Sequence, residues 1–289
     1  MRLDGPDGLI APENAKLTRR GAAALVGGLG FAAFARPVPA TARQTSDEGL
    51  VTERIEFEGH EGTTLPAYVA RPDAEGAHPV VLVVHEIFGV HEYIRDVCRR
   101  FAKEGYYAIA PDLYARAGDP SGMTDFQEIF KIVRTATHPQ VMGDLTKLVD
   151  HLEGVDAAGT DDLAITGFCW GGRVVWMFAA ADERVDAGVA WYGRLKGQDG
   201  DDAPQPIDIA ADLNAPVLGL YGGQDRGIPV EDVEAMRAAL KAAGDPSEIV
   251  LYDDAPHGFH ADYRDSYRED AAADGWTRLL AWFRENGVG

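Results

Sequence analysis

An α/β fold, with a mostly parallel central sheet covered by helices on both faces, is what this sequence predicts, and three observations predict it. Runs that read as strands alternate with runs at helical spacing from Val51 to the C-terminus. Some of the strand-like runs are continuously apolar and β-branched, "HPVVLVVHE" (78–86) above all, which is the pattern of a strand buried on both faces. No linker, repeat or low-complexity break interrupts the alternation. Alternating β and α units fold this way because each crossover helix covers a face of the sheet it connects.

Taken in order, "RIEFEG" and "LPAYVARP" carry apolar residues at alternate positions about Gly62 and predict an opening hairpin. After the "HPVVLVVHE" strand, "IRDVCRRFAKEG" returns to helical spacing and stops at Gly105, where a left-handed residue commonly ends a helix. "YYAIAPDL" is the next buried strand. Beyond a loop through Gly118 and Pro120, "TDFQEIFKIVRTA" and "PQVMGDLTKLVDHLEG" read as two helices. "DLAITGF", "AGVAWYG", "APVLGLYGG" and "SEIVLYDDA" are further strands, with helices "GGRVVWMFAAA" and "EDVEAMRAALKAAG" between them. The amphipathic run "DAAADGWTRLLAWFREN" closes a single domain spanning 51–289.

The beginning of the chain differs in character. Arg19-Arg20 precede a weakly apolar Gly/Ala-rich run from Gly21 to Ala35, followed by the small residues Ala40-Thr41-Ala42. That order matches an export signal, with the arginine pair resembling a twin-arginine leader. The expectation is a signal over 1–42, a short linker over 43–50, and a periplasmic or secreted protein; a cytoplasmic one is the alternative. The apolar run falls short of the ~20 residues a spanning helix needs, so no stable membrane anchor is expected.

Lysine and arginine number 27 against 47 aspartates and glutamates, a formal charge of −20. Such a surface repels nucleic acid and anionic membranes. Two cysteines, Cys98 and Cys169, cannot build a disulfide framework, and no CxxC pair is present. His257, His260 and Asp262 mimic a metal cluster, but no further His or Cys group completes it convincingly, so neither metal nor cofactor is expected. Nothing in the sequence specifies an oligomeric state.

In a parallel sheet, ligands gather outside the carboxyl ends of the strands, so the informative side chains are those just past a strand. Cys169 stands there in "GFCWGG", the pattern Gly-x-Cys-x-Gly at a strand-to-helix turn. Glycines at 167 and 171 let backbone pass close to a strained central residue, and the helix N-terminus that follows favours an anion. Cys98, inside an amphipathic helix without such flanks, reads as core. A thiol nucleophile needs a base and an acid to orient it. Asp225 follows one strand and His257 the next, giving the chain order Cys, Asp, His. Asp253 and Asp254 precede His257 too closely to reach its ring from a separate loop.

Together these residues resemble the dienelactone hydrolase family, the carboxymethylenebutenolidase-like branch of the α/β-hydrolases. The resemblance runs over roughly 51–287 through "LPAYVARP", "VVHEIFGV", "RRFAKEGYYAIAPDLY", "GFCWGG", "GGQDRGIP" and "HGFHADYR". It implies an α/β-hydrolase fold and a hydrolase opening a small lactone or ester through an acyl-thioester. Cys169 would be nucleophile, His257 base and Asp225 its partner, with Glu86 a carboxylate beside the resting thiol that takes its proton when substrate binds. Glu86, at the end of a buried strand, also fits a structural ion pair. Backbone N–H groups of Ile87 and Trp170 would form the oxyanion hole. The dienelactone enzyme holds its substrate's carboxylate with arginines, one of them four residues past the histidine. Here that position is Ala261, which leaves Arg264 and Arg116 as candidate cations and Tyr192 as a further substrate-binding candidate. A general carboxylesterase or thioesterase on the same triad is the alternative, and a non-catalytic binding protein on this fold the more distant one.

Overall fold

The computed structural model describes residues 44–197 and 203–289; the expected export signal lies outside them. Eight strands form one sheet: β1 (Leu50–Glu58), β2 (Thr64–Pro72), β3 (His78–Val84), β4 (Tyr107–Pro111), β5 (Ala158–Phe168), β6 (Ala187–Trp191), β7 (Val217–Gly222) and β8 (Glu248–Tyr252). Their spatial order is β1-β2-β4-β3-β5-β6-β7-β8. The opening hairpin pairs antiparallel, as does β2 with β4, and every later pairing is parallel. Between them run α1 (Glu92–Lys103), α2 (Phe126–Val133), α3 (His138–Leu152), α4 (Trp170–Ala181) and α5 (Val230–Ala243), and α6 (Glu269–Glu285) ends the chain. Among the described residues no helix is long and apolar enough to cross a membrane.

Burial follows the residue pattern. The continuous apolar runs β4, β6 and β7 are buried at every position, as is β3 from Val80 to Val84. The mixed run of β1 leaves most of its residues partly or fully exposed at the sheet edge. Helix ends obey local chemistry: Asp125 caps α2 by accepting from the Gln127 N–H at 2.8 Å. Gly105 and Gly244 take positive φ just past α1 and α5, a conformation only glycine adopts without strain.

Register decides what the fold presents. Val84 of β3 pairs with Gly167 of β5, Gly167 with Ala190 of β6, and Phe168 with Trp191. The residues that follow these strands, His85-Glu86, Cys169 and Tyr192, therefore emerge at one edge of the sheet. The loops after β7 and β8, which carry Asp225 and His257, emerge at the same edge because these strands continue the parallel run.

Candidate active site

Cys169 sits between β5 and α4 with φ 57° and ψ −112°, a left-handed conformation that costs a non-glycine residue energy. Close packing holds it there. A Cβ on Gly171 would lie 2.3 Å from the Val84 carbonyl oxygen, and one on Gly167 would lie 2.4 Å from the Gly171 carbonyl oxygen. Only glycine permits α4 to approach β3 and β5 so closely. The Cys169 N–H donates to the Trp191 carbonyl at 3.0 Å, tying the turn to β6. Tyr192, the next residue past β6, also has positive φ, 39°, and is fully buried.

His257 Nδ1 meets Asp225 Oδ2 at 2.6 Å, whereas Asp253 and Asp254 make no such contact. Burial lowers the pKa of this imidazole, but the charges of Asp225 and Cys169 and its hydrogen bonds to both outweigh burial and lift it to about 10. Cys169, Asp225 and His257, expected together from three separate loops, are thus brought together. Tyr192 packs edge-on to the His257 ring, with centroids 5.1 Å apart.

Glu86 is wholly buried and both its oxygens are engaged. Arg264 Nη2 donates to Oε1 at 2.9 Å, the Tyr263 hydroxyl donates to Oε2 at 2.6 Å, and His91 Nε2 stands 3.4 Å from Oε2. Burial pushes its pKa up, yet Arg264, His91 and Tyr263 together hold it at about 2. Arg264 is itself buried against the Phe88 ring, 5.2 Å from its centroid, with Nε unpartnered. It shares with His257, Asp225 and Ser266 the wall of a cavity of about 370 Å³, a volume that suits a small molecule. Trp170 borders another cavity, of about 440 Å³. Neither cavity counts Cys169 among its walls; the residue is 7 % exposed.

Arg116 is committed elsewhere. Its two terminal nitrogens reach Asp144 at 2.7 and 2.8 Å, and Nη2 also donates to the His60 carbonyl at 3.0 Å, pinning the loop after β4 to α3. Ala261 is fully buried, and Arg264 provides the cation beside the site. His260 bonds Tyr93 at 2.5 Å and Asp262 pairs with Arg100, so these two do not converge with His257. Among the described residues no cluster of three or more His, Cys, Asp or Glu is arranged to hold a metal ion.

Sequence reasoning missed three residues here: His85, His91 and Tyr263. His85 and His91 flank "EIFGV" and could have been found as histidines just past a buried strand. Tyr263 carries no local signal.

A mostly parallel eight-stranded sheet, with a strained cysteine turn after its central strand and a histidine–aspartate pair in the loops after the last two, defines an α/β-hydrolase. The dienelactone hydrolase family model matches residues 65–287, and the chain belongs to that family. It is 50 % identical over 275 residues to a Methylorubrum extorquens protein provisionally named carboxymethylenebutenolidase, covering 94 % of each chain. The crystal structure of a provisionally named dienelactone hydrolase from Klebsiella pneumoniae superposes with a TM-score of 0.78 at 50 % identity, covering 82 % of this chain and 99 % of that one. A dienelactone hydrolase-like promiscuous phosphotriesterase from metagenomic libraries shares the fold with a TM-score of 0.69 at 19 % identity, covering 82 % of this chain and 99 % of the other.

Proposed function

We propose that this hydrolase opens a small lactone or ester by covalent catalysis on Cys169. The observation that carries the reading is His257, bound through Nδ1 to Asp225 at 2.6 Å and near enough to Cys169 for that residue to help raise its pKa. Sγ attacks the carbonyl carbon while His257 holds the thiol proton, and the ring C–O bond then breaks. The proton passes to the departing alkoxide oxygen, leaving an acyl-thioester. Water attacks the thioester with its proton going to His257, the C–S bond breaks, and the thiol is restored. Charge on the carbonyl oxygen falls to the N–H groups of Ile87 and Trp170. Neither donates to a protein acceptor among the described residues.

Glu86, engaged on Arg264, Tyr263 and His91, acts in the resting enzyme as the counter-ion of Arg264. His257 is the stronger base of the two. Arg264, with Nε unpartnered at the wall of the His257 cavity, binds a carboxylate on the substrate. The relatives named carboxymethylenebutenolidase favour a lactone bearing such a group.

Hydrolysis of a neutral lactone, a carboxylate-bearing lactone and p-nitrophenyl acetate by wild type, Cys169→Ala and His257→Ala tests the reading. Both variants should lose at least ~10³-fold in kcat. Activity within a few-fold of wild type in either would exclude the thioester route. The arginine pair and apolar run at the N-terminus further support export. Cell fractionation should find a shortened chain outside the cytoplasm, and Arg19→Lys with Arg20→Lys should retain the precursor; full-length wild type confined to the cytoplasm would exclude it.

A further inference from the structure

His85 follows β3 directly and is fully buried. Its two ring nitrogens have fixed roles. The Leu113 N–H donates to Nε2 at 3.2 Å, so Nε2 must accept, and Nδ1 therefore carries the proton and donates to the Glu86 carbonyl at 2.7 Å. The ring is neutral in this arrangement, and burial holds its pKa down at about 4. Neither contact belongs to the cysteine, histidine and aspartate chemistry.

The carbonyl that His85 holds is half of the peptide linking Glu86 to Ile87. The described chain contains no cis peptide bond. In a planar trans peptide the C=O and N–H point in opposite directions. Fixing the Glu86 oxygen therefore aims the Ile87 N–H, one of the two oxyanion donors. The Gly89 N–H reaches the same oxygen at 3.3 Å, but it belongs to the loop being positioned and cannot set its direction alone. The imidazole also lies face to face with the Trp170 ring, centroids 5.4 Å apart at 15°, and edge-on to Tyr114 at 4.6 Å. Trp170 bears the second donor. A Cβ on Gly171 would lie 2.6 Å from the His85 carbonyl oxygen, so the same residue is in backbone contact with the start of α4.

We propose that His85 is a positioning residue for the oxyanion hole: it sets the Glu86–Ile87 peptide plane through Nδ1 and braces Trp170 through its ring. The proposal rests on the thioester reading above. It predicts loss of transition-state stabilisation without loss of the nucleophile or of substrate binding.

The test compares wild type, His85→Phe and His85→Gln on p-nitrophenyl acetate, alongside the rate at which iodoacetamide alkylates Cys169, a displacement that needs no oxyanion hole. Phenylalanine keeps the ring but can neither donate nor accept; the glutamine amide supplies both an N–H donor and a carbonyl acceptor. His85→Phe should lose about 10²-fold in kcat, the size of one missing oxyanion donor. Its KM should stay within about 3-fold and its alkylation rate within about 2-fold of wild type, and His85→Gln should recover to within about 5-fold. If phenylalanine overfills the space and the chain fails to fold by circular dichroism, the smaller His85→Leu is read in the same three measurements. A kcat within 3-fold of wild type in the non-donating variant, an equal fall in alkylation, or a glutamine variant no better than phenylalanine would each overturn the inference. Cys169→Ala separates the two claims: if it retains activity the thioester reading falls, and if it is dead while His85→Phe is unimpaired only the role of His85 falls.

Discussion

Glu86 Oε1 and Arg264 Nη2 meet at 2.9 Å across 178 residues of sequence, with both side chains almost entirely out of solvent. Removing one member of so deep a pair leaves the other as an uncompensated buried charge, which costs roughly 3–5 kcal/mol. Glu86→Gln should therefore lower stability to urea by about that amount, and adding Arg264→Met should restore part of it. A Glu86→Gln protein as stable as wild type would show that the pair contributes nothing. The sign with pH follows from a carboxylate held at about 2 instead of the ordinary 4.5. The stabilisation is complete above 4.5 and disappears as pH falls through about 2, so the gap between wild type and Glu86→Gln should close over that window.

His257 behaves in the opposite sense. Its pKa is raised to about 10, so its folded-state stabilisation is complete below the ordinary 6.5 and lost as pH rises through about 10. Nitrogen NMR of the imidazole should show the charged ring persisting well above neutrality, and Asp225→Asn should move its titration down. Titration near 6.5 in wild type would mean that Asp225 and Cys169 do not act on the ring as the geometry indicates.

The two thiols should part company under brief iodoacetamide labelling of the folded protein. Cys98 is completely buried in α1, and burial pushes its pKa far up. Cys169, at the elbow beside His257, should carry the first adduct detected by mass spectrometry. Cys98 labelling ahead of Cys169 would contradict the packing of α1 against the sheet.

Gly171→Ala should be costly, because the added methyl meets backbone oxygens of Val84 and His85 at 2.3 and 2.6 Å, and neither can swing away. Displacing α4 from β3 is expected to cost at least ~1–3 kcal/mol and most of the activity. Gly154→Ala, whose nearest neighbour would be 3.5 Å away, is the matched control and should be close to neutral. Equal stability of the two variants would refute the close-approach argument.

Much of this was legible before any coordinates. Period-2 and unbroken apolar runs located every strand, and the position of Cys169, Asp225 and His257 just past strands placed them at one end of a parallel sheet. The exchange of β3 and β4 in the spatial order was not legible, since periodicity reports which faces are buried and not which strands are neighbours. The surroundings of Glu86 were equally hidden: Tyr263 and Arg264 reach it by the folding of a distant loop, which leaves no spacing signal. The same loop explains why Ala261 misleads. Its side chain is fully buried, so a guanidinium there would have to leave solvent, and Arg264 brings the charge in from the next turn of the chain. Ala261→Arg should therefore destabilise the protein instead of improving turnover of anionic substrates.

The placement of the histidine on the loop after β8 has a consequence for synthesis. The strands are made from the sheet's antiparallel edge inward and then outward to β8, at the opposite edge. A ribosome-bound chain already contains β3, β5 and Cys169 long before His257 has been translated. A prematurely ended or clipped chain lacking the last strand and its loop would thus hold the thiol without the base that the proposed route assigns to it. On the proposed thioester route, turnover would arise only with the final stretch of polypeptide, and hydrolysis would report that the molecule is whole.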